Sequence, residues 1–178
     1  MFKILNDMVP FFEDPLKELG VREYARWRKC APATASTLLK GLAKEGLLSE
    51  RKERNLLLYK AHEESEAYKD LKVYASLRKI KESGLMTHLE RELKQPLAIF
   101  LFGSYAKGEN HKGSDIDVLV LTRTKTNVNL EEYQKKLKAP IQLFVHSPSE
   151  AEALRKKNPH LLNNMVNGIR LSGFWEVF

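Results

Sequence analysis

Two aspartates one residue apart, Asp115 and Asp117, follow the pair Gly103-Ser104 after ten intervening residues. Side chains alternate along a β-strand, so carboxylates at this spacing point to the same side. Two adjacent carboxylates repel each other unless something positive lies between them. Their hard oxygens suit Mg²⁺, which is commonly held by one or two carboxylates plus substrate phosphates. The Gly-Ser turn supplies backbone N–H groups and a hydroxyl, an arrangement that receives anions. A metal set beside a phosphate cradle points to phosphoryl or nucleotidyl transfer. Two divalent ions would there activate the attacking oxygen and stabilise the leaving pyrophosphate.

The elements that must position these groups are legible around them. Leu97 to Phe102 is an apolar run that reads as a buried strand ending at the glycine turn. A polar segment with Gly108 and Gly113 leads to a second strand, Asp115 to Thr122, and Pro140 to His146 reads as a third. Leu85, Met86, Leu89 and Leu93 recur at helical spacing and predict a helix packed behind the sheet. Asn129 is positioned to cap a helix over 130–138. Ser147-Pro148 opens another that runs towards Lys157, Pro159 interrupts it, and Gly168 ends its continuation. Ile169 to Phe178 is left as a strand or an aromatic tail around Trp175.

The Gly103-Ser104 turn, the ten-residue gap, Asp115-x-Asp117 and the apolar strands on either side resemble the minimal nucleotidyltransferases of the DNA polymerase beta superfamily. The resemblance covers about residues 84–178. It implies a mixed sheet flanked by helices that binds ATP with Mg²⁺, two ions being expected. Gly103 and Ser104 would hold the triphosphate, and Asp115 and Asp117 would be the metal-binding and catalytic residues. The chain departs from that family at one place: a third carboxylate is usual on the next core strand, and the alternation puts Gln142 there. An amide carbonyl can ligate but carries no charge and accepts no proton usefully.

The N-terminal third has a different pattern. Residues 2–19 predict a helix with Phe2, Ile4, Leu5, Met8, Phe11, Phe12 and Leu16 on its apolar face, broken or restarted at Pro10 and Pro15 and ended by Gly20. A short helix over 21–30 follows. Ala33 to Glu45 is a second, opened by Pro32, with Ala35, Leu38, Leu39 and Leu42 as a core stripe and Gly46 as C-terminal cap. Leu47-Leu48, the charged segment 49–55 and Leu56 to Lys60 read as strand, loop and strand. Ala25, Pro32-Ala-Thr34, Leu39, Leu42 and Lys44-Glu-Gly46-Leu-Leu48 resemble a winged helix-turn-helix. That resemblance implies that Ala33, Thr34, Ser36, Thr37 and Lys40 face the DNA major groove. Arg51, Lys52 and Arg54 would meet phosphate or minor groove from the wing.

The expected fold class is therefore α+β in three parts: a winged helix-turn-helix over 1–62, a helical connector over 63–83 and a nucleotidyltransferase domain over 84–178. On the connector, Tyr68 and Tyr74 read as packing or as the seam of a homodimer. Two functions fit. One is an Mg²⁺-dependent nucleotidyltransferase moving AMP from ATP to a protein or small-molecule acceptor. Its family includes antitoxins that modify a partner toxin protein, which makes a toxin one expected partner. The other is a DNA-binding regulator whose second domain only binds nucleotide.

Composition narrows the remainder. The 178 residues carry a net charge of +7, with a pI near 9.4, which permits nucleotide or nucleic-acid partners. The excess is spread along the chain, since residues 1–62 hold 12 Lys+Arg against 8 Asp+Glu, so no basic tail accounts for it. A single cysteine, Cys30, leaves no internal disulfide and no cysteine metal cluster. The five histidines have no metal-ligand spacing. No apolar run is long enough to cross a membrane, and the N-terminus is a poor signal peptide, so no membrane partner and a cytoplasmic location are expected.

Overall fold

The computed structural model describes residues 2–175, and expectations for the Phe2 side chain and for residues 176–178 lie outside the described residues. The chain divides into two compact units, residues 1–72 and 73–178. Both mix helix and sheet, as an α+β chain must.

The first unit opens with α1, Phe2–Glu13. Its apolar stripe buries Leu5, Met8, Phe11 and Phe12. Pro10 does not break it, contrary to expectation. A proline forfeits one backbone hydrogen bond, and here the buried residues on both sides hold the helix through that gap. Leu16, expected on the apolar face, lies beyond the helix end and is exposed. Two residues of strand, β1 (Leu19–Gly20), precede α2 (Val21–Arg28) and α3 (Pro32–Lys44). Helix α3 buries Ala35, Leu39 and Leu42. It closes with Gly46 at φ 73°, whose N–H donates to the Ala43 carbonyl, while the Leu47 N–H donates to that of Leu42. These two hydrogen bonds satisfy carbonyls that the helix end leaves open.

Strands β2 (Leu48–Glu53) and β3 (Leu56–Ala61) form a hairpin, and β1 adds to β3, giving the antiparallel order β1-β3-β2. The charged segment is thus strand, not loop, through Glu53. Its side chains are almost all exposed, so backbone pairing with β3 rather than burial holds it, and a pattern of side chains does not register that.

One helix, α4 (Glu66–Ser83), covers the expected connector. Its first turns belong to the first unit, where the buried Tyr68 hydroxyl donates to the Phe11 carbonyl at 2.9 Å. Tyr74 is 40% exposed, so the two tyrosines do not share a surface seam. Lys72, unremarked in the sequence, is almost wholly buried, and burial lowers its ammonium to about 8 against the opposing charge of Glu63.

The second unit contains the rest of α4, α5 (Leu85–Glu92), β4 (Ala98–Phe102), α6 (Gly103–Lys107), β5 (Ile116–Leu121), α7 (Glu131–Leu137), β6 (Ile141–His146), α8 (Pro148–Lys157), α9 (Pro159–Val166) and β7 (Ile169–Gly173). The sheet order is β6-β5-β4-β7, with β5 and β6 parallel and the other pairs antiparallel. It has helices on both faces. Ile99, Leu101, Ile116, Val118 and Val120 meet Leu85, Leu89 and Leu93 of α5 on one face. Phe100, Phe102, Leu119 and Leu121 meet Ala151, Leu162 and Met165 of α8 and α9 on the other. A strand buried on both faces reads as a continuous apolar run, which is what β4 is and what β5 is after Asp117. The predicted cap at Ser147 holds, with Glu150 completing a reciprocal capping box at α8. At α7 the N-cap is Leu130 rather than Asn129 and carries no side-chain cap, although Asn129 Oδ1 accepts from the Glu131 N–H one residue further on.

Candidate active site

Gly103 sits at the turn between β4 and α6 with φ 69°. A Cβ built there would lie 2.2 Å from Oδ2 of Asp117. A glycine is therefore required twice over, by the left-handed backbone and by the carboxylate laid against it. The strand register explains the proximity, because Asp117 of β5 is paired directly with Phe102, the residue before the glycine. Asp115 stands just before β5 and is exposed, while Asp117 is half-buried.

No described basic side chain forms an ion pair with either aspartate. Partial burial raises the Asp117 carboxyl above its ordinary value, and the neighbouring charge of Asp115 raises it further. The floor below is apolar: the Phe102 and Phe144 rings lie 5.4 Å apart, on the same sheet face as Asp117. Ser104, in the first turn of α6, is half-buried and spends only its backbone carbonyl, which accepts from the Glu109 N–H at 2.9 Å. Its hydroxyl makes no hydrogen bond among the described residues. The fold thus brings together all four residues expected to act here, Gly103, Ser104, Asp115 and Asp117.

The position at which the resemblance implies a third carboxylate is occupied by Gln142. Gln142 of β6 is in direct parallel register with Asp117 and exposed. Among the described residues, no group of three His, Cys, Asp or Glu side chains comes together that could hold a metal ion. The donor set still fits a divalent cation that also takes phosphate oxygens: two hard carboxylates with no cation of their own.

Sequence reasoning assigned no role to Tyr105 of α6 or to Asn110 of the loop that follows it. Asn110 is buried, and the Tyr105 ring packs into the core below α5. Burial pushes the Tyr105 hydroxyl upward, a hydrogen bond with Asn110 works against that, and the Asp115 charge adds to the rise. The two brace the loop that delivers Asp115. Lys107 and Lys112, flanking the signature, are exposed.

In the first unit the expected DNA-facing residues divide. Ala33, Thr34, Thr37 and Lys40 are exposed on α3, and Ser36 is half-buried. Lys52 is exposed on β2, and Arg54 is exposed in the hairpin turn at φ 54°. Arg51 is already engaged: Nε and Nη2 donate to the two carboxylate oxygens of Glu18 at 2.6 Å each, and Nη2 also meets Glu53 at 2.7 Å. A hollow of about 690 Å³ beside the α2–α3 turn is lined by Arg22, Arg26 and Lys29 over Ala25, Cys30, Ala31 and Pro32. No carboxylate is among its lining residues.

Residues 82–158 match the family model of the nucleotidyltransferase domain. The match takes in the glycine turn, both aspartates and the strand of Gln142, so this segment is a nucleotidyltransferase-fold domain. No curated protein and no solved structure matches the chain. No helix among the described residues is long and apolar enough to cross a membrane.

Proposed function

We propose that the protein is an Mg²⁺-dependent nucleotidyltransferase that moves AMP from ATP to a hydroxyl on a protein or small-molecule acceptor. The observation that supports it is a pair of carboxylates without a cation, one laid against Gly103, inside a segment of nucleotidyltransferase type. Asp115 and Asp117 would hold the metal. Gly103 and Ser104 would receive the triphosphate through backbone N–H groups and the free hydroxyl. Bound there, Mg²⁺ would offset the triphosphate charge and favour departure of pyrophosphate. The acceptor oxygen forms a bond to the α-phosphorus while the bond from that phosphorus to the pyrophosphate oxygen breaks. The hydroxyl proton passes to solvent, since Gln142 offers no base beside Asp117. A toxin protein is one acceptor of this kind, and the chain would then act as its antitoxin.

A second reading, a DNA-binding regulator, has its own support. The order β1, α2, α3 and the β2–β3 hairpin supports a winged helix-turn-helix. On this reading residues 1–62 would be that module, 63–83 a helical connector and 84–178 the nucleotide-binding domain. The exposed Thr34, Thr37 and Lys40, with Lys52 and Arg54, present a polar and basic face to duplex DNA.

Calorimetry of Mg²⁺-ATP on the wild type and on Asp115→Ala/Asp117→Ala tests the site. Metal-dependent binding that disappears in the double variant is expected, followed by label transfer from α-labelled ATP. A wild type that binds no nucleotide would end the enzyme reading and leave the first unit as the working part.

A further inference from the structure

We propose that this site holds one divalent cation per bound nucleotide rather than two, because Gln142 occupies the place where a further anionic ligand would have to stand. The inference rests on the nucleotide-binding reading above and departs from the two-ion expectation.

The lateral neighbours of Asp117 in the sheet are Phe102 on one side and Gln142 on the other. Neither carries charge. Asp115, two residues earlier, is the one other carboxylate that the local strand geometry brings to this corner among the described residues. The protein's own contribution is therefore at most two negative charges, which one Mg²⁺ balances.

A second ion would lie about 3.5–4 Å from the first, the usual spacing of two-metal sites. At that distance two divalent charges repel strongly unless anions are interposed. Triphosphate oxygens can share one ion with the aspartates, which is the ordinary way Mg²⁺ is held beside a nucleotide. On the β6 side of Asp117 no such anion is supplied. The amide oxygen of Gln142 is a neutral donor, and its NH₂ group is a hydrogen-bond donor that repels a cation.

The consequence falls on the acceptor. The single ion serves the triphosphate, the acceptor hydroxyl meets neither a metal nor a protein base, and transfer by the wild type is slow. Gln142 is exposed, so a carboxylate of the same length can be placed there without disturbing packing.

The test counts ions directly. Mn²⁺ and an ATP analogue with an α,β-imido bridge are equilibrated with the full chain across a dialysis membrane, and both are measured on each side. The wild type is expected to retain one Mn²⁺ per bound nucleotide. Gln142→Glu, with Gln142→Asp as a second variant of shorter reach, is expected to retain two, with normal melting curves. Two Mn²⁺ per nucleotide in the wild type would overturn this inference and leave the nucleotide-binding reading standing. One Mn²⁺ in both carboxylate variants would show that Gln142 is not the reason, and would overturn it too. Retention of neither ion nor nucleotide would remove the nucleotide reading itself.

Discussion

Asp7 and Asp117 are two carboxylates withdrawn from bulk water, one in each unit, and the protein treats them in opposite ways. Asp7 on α1 is 4% exposed and is met by the Arg28 guanidinium of α2, whose Nε donates to it at 2.5 Å. Its backbone carbonyl is also satisfied, by the hydroxyl of Tyr24 at 3.0 Å. Asp117 is half-buried, has a second carboxylate as its charged neighbour, and pairs with no described cation. A buried carboxylate with its cation supplied by the same chain joins two helices. A carboxylate whose surroundings raise its proton affinity, and which no described cation neutralises, is on the proposed reading a ligand for a cation from outside. The same contrast recurs among the arginines and lysines of the first unit, where Arg51 is held by Glu18 and Glu53 while Lys52 and Arg54 form no ion pair among the described residues.

The largest effect is expected from Gly103→Ala. The new side chain would adopt a left-handed conformation and force Asp117 away from the turn. The expected outcome is loss of metal-dependent nucleotide binding by calorimetry, with a stability loss of about 1–3 kcal/mol in denaturant unfolding. A variant unchanged in both would show that the carboxylate is not placed by the glycine.

Next in size is a pair of substitutions with opposite signs. Asp7→Asn leaves Arg28 without its anion, and the melting temperature should fall by several degrees. Asp117→Asn removes a repulsion, and the metal-free protein should melt slightly higher while its response to Mg²⁺-ATP is lost. A fall in both would contradict the distinction between structural and ligand-ready carboxylates.

A pH titration sharpens the point. Because the folded-state value of Asp117 lies above the ordinary 3.8, the folded protein binds the proton more tightly than the unfolded chain does. Its contribution to stability is full below 3.8 and is lost as pH rises through the raised value. The difference between wild type and Asp117→Asn in urea unfolding should show that slope in the metal-free protein. Near neutral pH, saturating Mg²⁺-nucleotide should reverse the penalty if, as proposed, the cation binds the folded carboxylate pair.

The smallest effect is expected in the first unit. If α3 and the hairpin bind duplex DNA, Lys52→Ala/Arg54→Ala should reduce the salt slope of binding by about one for each phosphate that is no longer neutralised. Arg51→Ala should change it less, because two carboxylates already surround that guanidinium. An equal reduction at Arg51 would mean that DNA displaces Glu18 and Glu53.

Much of the site was legible because its signals are local. The Gly-Ser turn, the aspartate spacing and the two apolar runs lie within one short stretch, and alternation alone places Gln142. Helix punctuation was similarly readable at Ser147 and Pro159, where caps and missing donors act on neighbouring residues. Pro10 misled because its cost is local while the packing that absorbs it comes from Met8, Phe11 and Phe12 meeting distant partners. The hairpin misled because strand pairing leaves no apolar pattern in Ser49 to Glu53. Lys72 went unremarked because a lysine carries no sign of burial in its residue type.

By itself the amino-acid sequence determined which groups exist to do chemistry and in what order the strands that carry them occur, since these follow from residue type, turn chemistry and a two-residue period. Only the tertiary structure decided which charges are spent and which remain. Register set Asp117 between Phe102 and Gln142 and against Gly103. Packing of α1 on α2 gave Arg28 to Asp7, and the hairpin gave Arg51 to Glu18. Coulomb energy depends on distance through space, and that distance is not a property of spacing along the chain.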